Sequence, residues 1–327
     1  MRKLWLYSIM VLILIALFIL SLQIGIVHLH ASLWSLIGKH DGVDATTVWE
    51  IRFPRALGAV IAGAALGIAG SLSQGIFRNP LAEPALIGLT SGATLGTIAV
   101  IASGAATFGS RTNVESAIVF AALAAFSVYW LSPSKGFGFL ITGIAVSSIL
   151  IAIAGLLISI SAKPGVQSLS FWNFGSLSLL NSQTVKVIAP FCEVGFILAL
   201  YVSRRLDIYS LGESSAHYLG KSPKQTRVLA IIALAFLIGP VVSAVGTIAF
   251  LGLLVPHIVR FLVGPAHRRS VSVSAFVGAI LLLLADLLAR TLFQPHEIPL
   301  GLITSLLGAP LLIILLRVKS SQWGAHD

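Results

Sequence analysis

From Leu4 to Leu316 the sequence is a succession of apolar runs with only short polar intervals between them, and that recurrence restricts the fold more than any other feature. A helix needs about 20 mostly apolar residues to cross about 30 Å of hydrocarbon. Ten runs approach or exceed that length: Leu4–Val27, Ala56–Phe77, Ala85–Ser103, Ser116–Leu131, Phe137–Ser161, Val185–Ser203, Val228–Val245, Ile248–Val263, Ser272–Phe293 and Leu300–Leu316. Composition agrees, since 57% of the 327 residues are hydrophobic and only 10% are charged, where soluble domains hold roughly a quarter charged. The expected fold is an all-α polytopic membrane protein with ten transmembrane helices, built as a single transmembrane domain over residues 1–327.

The first run follows Arg2 and Lys3, is longer than the apolar core of a signal peptide and has no A-x-A-like site before His28, so it reads as a retained helix. With Met1 on the cytoplasmic side, Arg2, Lys3, Arg78, Lys135, Arg204, Arg205, Lys221, Lys224, Arg227, Arg260, Arg268, Arg269, Arg317 and Lys319 fall inside. Only Lys39, Arg52, Arg55, Arg111, Lys163 and Lys186 fall outside, the asymmetry that membrane insertion favours. Both termini are then cytoplasmic. The net charge of +10 is spread over the ends of apolar runs rather than gathered on one polar face, so nucleic acid is not an expected partner and membrane lipid is. The single cysteine, Cys192, excludes an internal disulfide and reads as a small core residue.

Glycines recur four apart at Gly63 and Gly67, then at Gly88, Gly92 and Gly96. That spacing lets helix backbones approach closely where lipid supplies no hydrophobic drive for association. Glu193 interrupts the sixth run and is expected to face protein or water. Pro164, Gly165 and the stretch Ser170–Leu177 suggest a short external helix over the bundle. In NPLAEP, Pro80 and Pro84 cannot donate helical hydrogen bonds, so Asn79–Pro84 forms a turn between the second and third runs on the cytoplasmic side. Pro54 suits a first helical position and places Arg55 in the first turn of the second run.

The segment Arg52–Gly96 carries Arg52, Pro54 and Arg55, then Gln74, the turn Asn79-Pro80-Leu81-Ala82-Glu83-Pro84, and Gly88, Gly92 and Ala93. Further strings follow in order: Phe171, Trp172, Gly175, Ser176 and Leu177; Leu211, Gly212, Ala216, Leu219 and Gly220; Gly246, Ile248, Phe250, Gly252, Leu253, Pro256, His257 and Arg260; Ala285, Asp286, Ala289 and Arg290; Glu297, Pro299 and Gly301; Gly308, Ala309 and Pro310. In these strings, over nearly its whole length, the chain resembles the permease subunits of ATP-driven, binding-protein-dependent importers of iron siderophores, haem and cobalamin, the FecCD-like type II importers. The resemblance implies a dimer of ten-helix subunits, either two copies or a copy with a paralogous permease, with inverted repeats relating spans two to five and seven to ten. It implies a bacterial inner-membrane location. It also implies docking of an extracellular or periplasmic binding protein at Arg52, Arg55 and Arg290, and docking of ATP-binding cassette ATPase subunits on the inner loop 204–227 through Leu211, Gly212, Ala216, Leu219 and Gly220.

No catalytic constellation is visible. Gly220, Lys221 and Ser222 look like the end of a phosphate loop, but Ser215 stands where the required glycine would be and no strand precedes. ATP and Mg are therefore expected on the partner ATPase, with no cofactor held permanently by this chain. No HExxH metal motif occurs, and His28, His30 and His40 are not read as a metal site, because an imported metal would travel enclosed in its chelate or macrocycle. An ion-coupled secondary transporter would require intramembrane carboxylates, for which Glu193 and Asp286 are the candidates. Asp286 lies one turn from Arg290, a spacing that neutralises both and suits a structural role.

Overall fold

The computed structural model describes residues 2–36, 38, 41–132, 137–161, 166, 169–209, 218 and 222–323, and among them there are helices and no strands. In chain order the helices are α1 (Arg2–Gln23), α2 (Val43–Thr46), α3 (Phe53–Ile76), α4 (Leu89–Ser103), α5 (Arg111–Leu131), α6 (Phe137–Ile160), α7 (Leu169–Trp172), α8 (Ser182–Tyr209), α9 (Pro223–Val245), α10 (Leu251–Val263), α11 (His267–Thr291) and α12 (Leu300–Trp323). A π-helical turn, Thr47–Arg52, joins α2 to α3, so the second apolar run continues a helical path that begins at Val43.

All ten runs fall on helices, but they are not alike. Among the described residues seven helices are long and apolar enough to cross a membrane, while Leu89–Ser103, Leu251–Val263 and Leu300–Pro310 form shorter apolar helices. Two of the short ones begin inside the protein. Helix α4 follows a 3-10 turn, Pro84–Ile87, and a left-handed Gly88, and α10 follows a left-handed Phe250. Non-helical backbone at membrane depth is tolerated where protein surrounds it, and Ile87, Leu89 and Leu251 are buried.

Helix α3 is the axis of the bundle, packed by α8, α9, α10 and α11. Its seam with α11 is antiparallel and regular: Arg55 meets Asp286, Gly63 meets Gly278, Gly67 meets Ser274, and the Ser71 and Ser270 hydroxyls lie 2.7 Å apart. Each step forward along α3 is matched by an equal step back along α11, which is one continuous line of contact. A Cβ on Gly63 would lie 2.4 Å from the Gly278 carbonyl oxygen, so the helices touch backbone to backbone. Gly92 and Gly96 do the same for α4 against α5. Gly88, grouped with them by spacing, has a different role: its φ of 86° starts α4.

Glu193 is exposed on α8 beside exposed Val194 and Ile197, because the small buried face of that helix is taken by Cys192, Gly195 and Ala199. One expectation needs correction. The stretch Ser170–Leu177 is helical only to Trp172. Beyond it, Phe174–Ser176 forms backbone hydrogen bonds with Val245, Leu300 and Gly301, tying the end of α9 to the start of α12.

The α3–α10 crossing offers a clean test of backbone packing. A Cβ on Gly70 would lie 1.8 Å from the Gly252 carbonyl oxygen, whereas one on Gly252 meets nothing nearer than the Pro84 ring at 3.2 Å. Gly70→Ala should therefore strongly reduce the monodisperse yield in size-exclusion chromatography, while Gly252→Ala should stay near wild type. Equal yields for the two variants would contradict this crossing.

Candidate functional site

The arginines singled out at one end of the bundle come together there, but they turn inward. Arg52, Arg55 and Arg290 are 4%, 7% and 3% exposed, and Asp286 is fully buried. Buried charges persist only when paired and hydrogen-bonded. Arg55 Nε donates to Asp286 Oδ1 at 2.9 Å, its Nη2 lies 2.9 Å from the same oxygen, and its Nη1 donates to Glu297 Oε1 at 2.7 Å. Arg290 Nε faces Asp286 Oδ2 at 3.2 Å, close enough for charge attraction but not aligned as a hydrogen bond. Asp286 is thus shared: its better contact is across the seam to Arg55, not along its own helix to Arg290.

The remaining donors go to the end of α1. A helix leaves its last carbonyls without intrahelical partners, and here two arginines from other helices take them. Arg290 Nη2 donates to the Ser21 carbonyl at 3.0 Å and to its hydroxyl at 2.6 Å, and Nη1 donates to the Ile24 carbonyl at 2.9 Å. Arg52 Nη1 donates to Leu22 and Gln23 at 2.9 and 2.6 Å, and its Nη2 to Val27. Gly25 makes room for this: a Cβ there would lie 2.8 Å from Arg52 Nη2. The cluster holds three cations and two contacting carboxylates, and Asp44 adds a third negative charge that attracts Arg52 through space.

At the opposite end, the turn 79–84 closes on itself and on α10. Asn79 Oδ1 accepts from Leu81 N at 2.9 Å, the Asn79 carbonyl accepts from Ala82 N, and Pro84 opens the 3-10 turn. Glu83 Oε1 accepts from Phe250 N at 2.8 Å and so caps α10. Burial pushes the Glu83 carboxyl above its ordinary range, and the Phe250 N–H opposes that shift. Gln74 Oε1 accepts from Arg260, and Tyr209 is clasped between Arg78, 4.2 Å above its ring, and Arg227, whose Nε donates to its hydroxyl at 3.1 Å. Tyr209 immediately precedes the stretch expected to couple to an ATPase. Leu211, Gly212, Ala216, Leu219 and Gly220 themselves lie outside the described residues, as does His40.

Sequence reasoning missed Ser21, Asp44 and Tyr209. Only Tyr209 had a signal, as an aromatic residue between the basic pair Arg204–Arg205 and the loop. Among the described residues no group of three His, Cys, Asp or Glu side chains could hold a metal, and His28 and His30 are exposed.

Residues 10–318 match the FecCD transport family. The chain belongs to that family. It is 38% identical over 285 residues to the hemin transport system permease protein HmuU of Yersinia pestis, covering 85% of each chain. It is also 38% identical over 313 residues to the ferric enterobactin transport system permease protein FepD of Escherichia coli, covering 92% of this chain and 91% of that one. Among solved structures it is similar to a protein described as a metal-chelate type ABC transporter in an inward-facing conformation, at 31% identity and a TM-score of 0.84, over 97% of this chain and 99% of the other. This FecCD-family chain is therefore a multi-pass membrane permease, and its charge cluster is set in a fold whose relatives are named for transport.

Removing Asp286 should expose how the cluster is held. Asp286→Ala leaves two guanidinium groups facing each other without their shared anion, a loss on the order of 3–5 kcal/mol for a buried pair. Glu297→Gln, at a position whose side chain is 29% exposed, should cost about 1 kcal/mol or less. Thermal unfolding in detergent should rank Asp286→Ala well below Glu297→Gln and wild type; the reverse order would remove Asp286 from the centre of the site.

Proposed function

We propose that this chain is the membrane-spanning subunit of an ATP-driven, binding-protein-dependent importer of a ferric siderophore or haem, with cobalamin as the alternative cargo. The observation that carries the reading is likeness along nearly the whole chain to permeases named for hemin and ferric enterobactin transport. The protein would sit in a bacterial inner membrane with both termini cytoplasmic, and the three short helices would complete ten spans. The inverted-repeat reading, spans two to five against seven to ten, makes α4 the counterpart of α10. Both helices are short and both start from a left-handed residue, which supports it.

Helix α6 supports a path for cargo between two subunits. It and α1 bury the least of their length among the span-length helices, and its exposed surface includes Ala145, Ser148, Ala152, Gly155 and Ser159, spaced three and four apart. The Ser148 and Ser159 hydroxyls donate to their own helix at 2.9 Å, and the stripe of small residues runs between exposed Ile144, Ile151 and Leu156, so this face is mostly apolar. Such a surface offers a bulky chelate a wall without ligating groups. A second copy or a paralogous permease would supply the facing wall. ATPase subunits carrying ATP and Mg would dock on the loop 204–227, and an extracellular binding protein would dock its carboxylates at the end of the bundle that holds Arg52, Arg55 and Arg290.

Vesicles containing the permease with its ATPase, and the loaded binding protein supplied on the opposite side, should accumulate a ferric siderophore, haem or cobalamin only when ATP is present with the ATPase. Uptake without any ATPase would defeat the reading. Gly155→Trp points into open space within this chain, so it should assemble normally yet block uptake. Unimpaired transport by that variant would take α6 off the path. Ala216 replaced by Glu should release the ATPase and uncouple uptake, and retained association would separate the loop from that partner.

A further inference from the structure

The segment Ile24–His30 leaves α1 without helical structure and lies across the arginine cluster, held from its two ends by opposite charges. Toward α1, the carbonyls of Ile24 and Val27, with those of Ser21, Leu22 and Gln23 behind them, accept from Arg52 and Arg290. Toward α2, the amides of His30 and Ala31 both donate to Asp44 Oδ2, at 3.0 and 2.8 Å. Side-chain packing holds it through Leu29, partly buried against Leu36, Ala45 and Val48, while Ile24, Ile26 and Val27 are exposed. Charge-assisted hydrogen bonds to backbone fasten the part of the segment that lies over the cluster, and beneath it Arg52 and Arg290 have almost no access to solvent.

We propose that Ile24–His30 is a strap over the cluster, and that a carboxylate-bearing extracellular protein engages Arg52 and Arg290 by displacing the strap's carbonyls from them. This rests on the docking arrangement proposed above. A guanidinium that spends its forked donors on carbonyls cannot offer the same fork to a carboxylate, and a charged acceptor binds it more strongly than a neutral one. Docking then frees the end of α1, and the coupling is reciprocal: loosening the strap aids docking.

Asp44 is the positioning residue that tests this: it holds the strap by the amides of His30 and Ala31. Because it also attracts Arg52 through space, amide exchange and labelling rather than the association rate alone isolate the strap. In the full permease–ATPase complex in nanodiscs, Asp44→Asn should speed modification of Arg52 and Arg290 by phenylglyoxal, mapped by mass spectrometry, by about tenfold, the scale of losing one charge-assisted hydrogen bond. Association of the loaded binding protein should accelerate several-fold in the same variant. In the wild type, adding the binding protein should raise hydrogen exchange at His30 and Ala31. Unchanged labelling in Asp44→Asn, or protection of these amides on docking, would overturn the strap. Arg52→Gln separates the two ideas. If it loses capture while Asp44→Asn and the exchange remain silent, only the strap falls; if capture is unaffected although the segment exchanges faster, the docking arrangement fails and the strap with it.

Discussion

Asp286 carries a full negative charge with no exposed surface, and the register of the bundle follows from where its partners must stand. Arg55 reaches it across the α3–α11 seam and Arg290 from one turn further along α11. Since a buried carboxylate without a cation is strongly disfavoured, the two helices can slide only as far as those contacts allow. The glycine contacts farther down the seam, Gly63 with Gly278 and Gly67 with Ser274, keep the same register. Charge fixes one end of the line, and the absence of side chains lets the rest close.

Asp286 and Glu297 leave the donors of Arg52 and most of those of Arg290 without a carboxylate. The end of α1 takes them, because its last carbonyls lack intrahelical partners and present the negative end of the helix dipole. Helix α1 buries little surface of its own, so the same hydrogen bonds that satisfy Arg52 and Arg290 also fasten a helix that packing alone holds weakly. Arginine suits this task better than lysine because its planar group can serve several carbonyls at once.

The apolar runs, the breaks at Pro80 and Pro84 and the four-residue glycine spacing were legible in the sequence because each acts locally. The orientation of the arginines was not. Their positions marked them, but nothing near Arg52 in the chain indicates that Leu22, Gln23 and Val27 would consume its donors. Which side of α8 Glu193 occupies was hidden for a related reason: helical phase is set by where Cys192, Gly195 and Ala199 pack. The shortness of α4 and α10 was equally hidden, because an apolar run does not reveal where within it the helix begins. The Gly70–Gly252 crossing depends on a partner far away in sequence, so Gly70 looked like any other small residue in its helix.

Glu83 shows how the two short helices are made compatible with an apolar interior. Phe250 adopts a left-handed backbone, at φ 63°, a conformation that costs a non-glycine residue roughly 1–2 kcal/mol. Its amide is satisfied by Glu83 from the turn that leads into α4, and its side chain is accommodated because position 308 is glycine, where a Cβ would lie 2.5 Å from that of Phe250. The same turn packs on α6, where a Cβ on Gly143 would lie 2.0 Å from the Leu86 carbonyl oxygen. One carboxylate and two glycines therefore bind the starts of α4 and α10 to α12 and to α6, the helix with the exposed stripe of small residues. Movement of α6 relative to the bundle axis must strain this joint or pass through it, which makes the 79–88 turn the point where α6 is tied to the core.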